Sequence, residues 1–161
     1  MAAGGALGDY VGARFVGEDP DRAEPGWAAV AVTAEGGVVK LVTTAVAVGA
    51  GQDERLAARL AEGAAHMGVG VALSEEVEEK AGLPETRFRM LGVMKPKGSP
   101  ALRVVPVRVG GGPREVSEVV TAATPGAVAG AIDAAGTLTR LPMRETAAGK
   151  AVGARQARPV A

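Results

Sequence analysis

Hydrophobic and polar positions follow two rhythms along this chain, and the rhythm changes near residue 53. Residues 27–34 (WAAVAVTA) and 37–48 (GVVKLVTTAVAV) are almost continuously apolar, rich in Val and Thr, and separated by Glu35 and Gly36. Branched side chains favour the extended backbone and a glycine turn reverses it, so this stretch predicts a β-hairpin buried on both faces. From Asp53 the period lengthens. Leu56, Leu60 and Ala64 recur at i, i+4 and i+8 with Ala57 and Ala61 beside them. That predicts a helix ending near His66 to Gly68, with its leucines toward the core. Val69 to Leu73 predicts a short strand. Ser74 predicts the cap of a second helix, with Glu75 and Glu76 in its first turn and a stop at Gly82 and Pro84. Residues 87–94 and 102–109 predict a second hairpin around Lys95 to Pro100.

The two ends are less periodic. Residues 6–16 (ALGDYVGARFV) read as two short strands around Gly8, Asp9 and Tyr10, followed by a proline-rich, charged loop over 18–26. Beyond Gly110 to Pro113 the composition shifts to an Ala-rich stretch over 114–135, predicted as a helix broken at Thr124 to Gly126. From Arg140 onward five basic residues (Arg140, Arg144, Lys150, Arg155, Arg158) face a single acid, Glu145. The reading is an α/β domain over 1–110, a Gly/Pro linker and Ala-rich helix over 111–136, and a basic, weakly ordered tail over 137–161. Such a tail is expected to be separable from the fold.

Composition narrows the chemistry. At 161 residues and 47% apolar content the chain is long enough for one buried core. The charges balance at 18 basic and 18 acidic, which supplies no field for nucleic acid. Only 2% of residues are aromatic, so Val, Leu and Ala must build the interior. With no cysteine and one histidine, disulfides, thiolate metal sites and a multi-histidine cluster within one chain are excluded. No uninterrupted apolar run approaches the ~18 residues of a membrane span, and the expected location is cytoplasmic. Gly110 to Gly112 lacks the Gly-Lys-Ser/Thr ending of a phosphate loop and reads as a linker. The three serines, Ser74, Ser99 and Ser117, sit in no nucleophile elbow. His66, near a helix end, suits a favourable interaction with the helix dipole.

One stretch carries a family pattern. Leu56-Ala-Ala-Arg-Leu60 is followed by Val69-Gly-Val-Ala-Leu-Ser-Glu-Glu-Val77, then Arg87-Phe-Arg-Met-Leu-Gly92, Lys97-Gly98 and Leu102 to Val107. In order and spacing this resembles the C-terminal half of class III nucleotidyl cyclase catalytic domains. Upstream, Leu7-Gly8-Asp9 with Phe15 looks like that family's Gly-Asp hairpin. The resemblance implies that Asp9 is a metal ligand, with Mg²⁺ or Mn²⁺ as cofactor if the chain is active. It implies that Arg59 stabilises charge on a transferring phosphate, a task suited to a forked, permanently charged guanidinium. From the residues alone, Arg59 reads first as a solvated helix arginine, and Asp9 reads equally as a turn aspartate.

The family's other positions are substituted. Arg55 stands where the asparagine belongs and Gly5 where the purine-reading lysine belongs, while only eight residues precede Asp9, leaving no place for the first metal aspartate. Two-metal phosphoryl transfer needs both carboxylates. The expected fold is α+β, a mixed, largely antiparallel sheet with helices on one face. The expected function is a degenerate cyclase-homology module acting by binding or assembly. The alternatives are a cyclase subunit completing its site with a partner chain, and an interaction protein unrelated to cyclases. A Val-rich surface over 28–48 predicts a homodimer or a larger protein partner, with a purine nucleotide as candidate ligand and no nucleic acid or membrane span.

Overall fold

The computed structural model describes residues 24–84, 91–133, 135–137 and 140–157. The strands expected over 6–16, Asp9 with them, and residues 87–90 of the second expected hairpin lie outside the described residues. The hairpin expected from the first apolar run is present. Strands β1 (Ala28–Glu35) and β2 (Val38–Val48) pair antiparallel across a turn in which Gly36 and Gly37 both have positive φ, 58° and 72°. That is backbone which a side chain would strain, so two consecutive glycines are what the turn demands. The pairing steps from Thr33 opposite Leu41 to Ala34 opposite Val39, passing over Lys40. This bulge shifts the alternation so that Val39 and Val42 both face the core while Lys40 stays in solvent.

After β2 come helix α1 (Glu54–Leu73), a two-residue strand pair β3 (Glu79–Lys80) and β4 (Leu83–Pro84), a single 3₁₀ turn at Pro96–Gly98, strand β5 (Ala101–Arg108), helix α2 (Ser117–Ile132) and helix α3 (Ala147–Ala157). The main sheet has the order β1-β2-β5. β5 runs parallel to β2, with Val42 opposite Leu102 and Val46 opposite Pro106. The fold is therefore α+β, a mixed three-stranded sheet with helices packed against it, as the sequence predicts. The parallel partnership with β2 is one the sequence did not announce, while the expected pairing of 102–109 with 87–94 falls in large part on residues outside those described. A parallel neighbour needs a long crossover, and α1 supplies it.

Helix α1 begins where expected. The Asp53 carboxylate accepts from the amides of Arg55 at 2.7 Å and Leu56 at 3.0 Å, closing the first turn. It does not stop at Gly68, and the strand expected over 69–73 is its last turn and a half. Of its three glycines, Gly68 lies hard against α2. A Cβ on Gly68 would stand 2.5 Å from that of Thr124, so close approach selects glycine there over helix propensity. Ser74 ends α1, its amide donating to the Gly70 carbonyl at 2.8 Å, rather than starting a new helix. The helix expected over 75–82 is instead an irregular segment and the β3–β4 turn. Glu75 and Glu79 would repel at i, i+4 in a helix. In the structure the Glu75 carboxylate turns inward toward the Met94 amide.

The expected apolar stripe of α1 is split, its alanines buried as predicted and its leucines not. Ala57, Ala61, Ala64, Ala65, Val69 and Ala72 are buried, whereas Leu56 is 61% and Leu60 50% exposed. Small side chains allow the backbone to sit close to the sheet and α2, and the leucines are left on the far side. α2 likewise runs through Pro125 without the expected break. Burial of Val119, Val120, Ala123, Ala127 and Val128 outweighs the missing amide.

The C-terminal segment is also corrected. Residues 147–157 form α3, and Met143, Ala148 and Val152 are buried against Val39, Val42 and Leu73. A second cluster, with Val46, Val48, Ala57, Ala61 and Val120, fills the other end of the layer between sheet and helices. The tail is therefore part of the core. Its one-turn spacing of Ala148 and Val152 is too short a period, among alanines and glycines, to announce a docking face.

Candidate functional site

Arg59 lies on the outer side of α1, one turn before Gly63 and two before His66. Its Nη1 donates to Glu62 at 2.7 Å, and the two side chains are 80% and 42% exposed. The guanidinium is thus a solvated helix arginine with an i, i+3 partner, a pairing worth only a few tenths of a kcal/mol. Beside it runs a groove of about 440 Å³ between α1 and the turn before β5, lined by Arg59, Glu62, Gly63, His66, Pro96, Ser99, Pro100 and Leu102. The His66 Nε2 lies 2.9 Å from the Met94 carbonyl, so Nε2 carries the proton and donates. That bond ties α1 to the segment leading into β5. His66 therefore acts as a structural tie and not only as a dipole partner.

Of the expected site residues, Arg59 is placed at this surface and Asp9 lies outside the described residues. Arg55, at the position of the family's asparagine, is an exposed residue of the first turn of α1. Among the described residues no three His, Asp or Glu side chains gather closely enough to hold a metal ion.

A second locus was not visible in the sequence. The parallel strands β2 and β5 both end in glycine loops, Gly49 to Gly51 and Gly110 to Gly112, beside the N-terminus of α1. Open sheets with parallel strands bind ligands outside such strand ends. Here the rim is occupied by the chain's own polar groups. The Gln52 Oε1 accepts from the amides of Gly49 at 2.8 Å and Arg114 at 2.7 Å, and its Nε2 donates to the Arg114 carbonyl at 2.8 Å. Arg114 in turn donates to the carbonyls of Pro25 at 3.0 Å and Gly110 at 2.6 Å and pairs with Glu24 at 2.6 Å. Glu24 also accepts from the Gly112 amide at 2.7 Å. This is a clamp that holds both loops and the entry to β1. Glycines at matched distances past two Val-rich runs were the signal for it, and Gly110 to Gly112 read as a linker because nothing local marked those runs as parallel neighbours.

The outer side of α1 is apolar. Besides Leu56 and Leu60, Met67 is 50% and Val71 38% exposed, all on the side of α1 that no described element covers. Among the described residues no helix is long and apolar enough to cross a membrane.

Neither a family model nor a curated protein matches the sequence. Solved structures with a similar fold include the crystal structure of quinoline 2-oxidoreductase from Pseudomonas putida 86. The likeness covers 84% of this chain at 17% identity with a TM-score of 0.58. The likeness is one of fold. This chain spans only 19% of the length of that oxidoreductase chain.

Proposed function

We propose that this chain acts through binding and assembly, as a module that is not catalytic alone. The observation that carries the reading is the split stripe of α1, which buries its alanines and presents Leu56, Leu60, Met67 and Val71 outward. A contiguous apolar stripe on a surface helix is costly in water and marks a surface that another protein covers. Arg59 adds support. Of the cyclase-type set it is the member among the described residues, and its charge is spent on Glu62 at the surface rather than converging with other ligands on a phosphate. In this reading the chain is a degenerate cyclase-homology module that has kept an arginine and an aspartate but lost the group that acts as a unit.

Incubation of the purified chain with ATP or GTP and Mn²⁺ tests this, following cyclic product together with the fluorescence of Trp27, the only tryptophan. The expected result is no cyclic nucleotide and little or no change in emission. Turnover that disappears in both Asp9→Ala and Arg59→Ala would overturn the reading in favour of a catalytic subunit.

A second reading is favoured by the fold comparison, because a unit of this fold occupies about a fifth of a much longer oxidoreductase chain. In that case the chain is one unit of a multi-part oxidoreductase, with redox chemistry supplied elsewhere in the assembly. Isolation from its native host should then give co-elution with a further chain that absorbs in the visible. A colourless peak containing this chain alone would count against it.

A further inference from the structure

The exposed residues of α1 form a pattern that reads the same in both directions. Leu56, Leu60, Met67 and Val71 are spaced by four, seven and four residues. At 3.6 residues per turn these four and Gly63 fall within about 80° of the helix circumference. The midpoint of the pattern is the peptide joining Gly63 to Ala64. Gly63 is open, with no heavy atom within 4 Å of where a Cβ would stand. A stripe that is thinnest at its midpoint, with two apolar side chains at matched spacing on either side, can pack against itself reversed.

We propose that the occupant of this stripe is a second copy of the chain. Two α1 helices pack antiparallel about a two-fold axis at Gly63 and Ala64. Leu60 of one copy then meets Met67 of the other, and Leu56 meets Val71. The inference rests on the assembly reading and names its partner. Such an isologous contact uses one patch twice and closes at two subunits. Glycine at the crossing point lets the helix axes approach to the near end of the usual 8–10 Å range.

Charge does not set the orientation, because Arg59 pairs with Glu62 and both Glu76 and Glu78 pair with Arg144 within one chain. The spacing of the apolar stripe sets it.

The absence of cysteine makes the geometry directly testable. Gly63→Cys places one thiol per copy beside the axis, and mild oxidation should convert the protein to a disulfide-linked dimer. Leu60→Cys places the two thiols about 10 Å apart along the axis, seven residues at 1.5 Å each, and should cross-link far more slowly. Light scattering should give a dimer mass for the unmodified chain at tens of micromolar. Leu60→Glu should weaken the dimer by about a hundredfold or more, because two carboxylates would be desolvated. Its far-ultraviolet spectrum and melting midpoint should stay those of the wild-type monomer, since residue 60 is half exposed within one chain. A wild-type monomer at that concentration, a dimer indifferent to Leu60→Glu, or cross-linking of Leu60→Cys as fast as Gly63→Cys would each overturn the proposal. Failure here leaves the broader assembly reading to its own test, since that reading fails on nucleotide turnover and not on the mass of the particle.

Discussion

Replacing Gly49 by alanine is expected to remove about 3–5 kcal/mol of stability, a large part of the 5–15 kcal/mol typical of a domain. A Cβ at this position would overlap the carbonyl oxygen of Gly112, and the neighbouring atom is backbone, which cannot rotate away. The contact lies where the parallel ladder runs on past the strands. Val109 donates to the Val48 carbonyl at 3.0 Å and Ala50 to that of Gly111 at 3.0 Å. Making room means prising these loops apart, which breaks the ladder bonds and the Gln52 clamp along with them. Overpacking costs roughly 1–3 kcal/mol and each lost hydrogen bond about 1 more. Gly51 provides the contrast. It has φ of 80° but open space around it, so Gly51→Ala should cost only about 1 kcal/mol of backbone strain. Urea or thermal unfolding of both variants checks the ranking. A Gly49→Ala protein that melts with the wild type would show that β2 and β5 do not approach as described.

Deleting residues 140–161 is expected to be as damaging. Met143, Ala148 and Val152 are each buried to within 4% and cover Val39, Val42 and Leu73. At about 25 cal/mol per Å² of apolar area, losing the first three and baring the rest costs on the order of 4–6 kcal/mol. A polar tie is lost too. The Arg144 guanidinium donates to the Ser74 carbonyl from Nε at 3.1 Å and Nη2 at 2.8 Å, and Nη1 reaches Glu78 at 2.9 Å and Glu76 at 3.2 Å. This arginine closes the C-terminus of α1, which has no basic residue in its own last turn. The truncated chain should lose its cooperative transition or melt well below the full chain. An unchanged midpoint would restore the view of 137–161 as a separable tail.

Some of this architecture was legible in the residues themselves. The β1–β2 hairpin follows from two Val/Thr-rich runs either side of Gly36, and the start of α1 from Asp53 ahead of a helical period. Both signals are local, involving residues within a turn or a strand of each other. The α+β class followed from the same two rhythms. What the sequence did not reveal was decided by contacts between distant segments. Val69 to Leu73 has the composition of a strand but is helical because α2 packs on it, with Thr124 against Gly68. Leu56 and Leu60 have the spacing of a core face but point outward, because α1 lies closest to its neighbours along Ala57, Ala61, Ala64 and Ala65, where only small side chains are buried. Residues 102–107 join β2, sixty residues earlier in the chain, a parallel pairing that nothing local announces. The basic tail folds because its small apolar face meets Val39 and Leu73.

The candidate site divides along the same line. Arg59 could be picked out from the sequence as a charged helix residue, but only the fold shows its charge paired with Glu62 on an open surface. The Gln52–Arg114–Glu24 clamp and the exposed stripe of α1 depend on which strands are neighbours and which helix face is covered. Periodicity alone tells a buried face from an exposed one by side-chain size. In this protein the closeness of the backbones reverses that rule, and only the tertiary structure could say so.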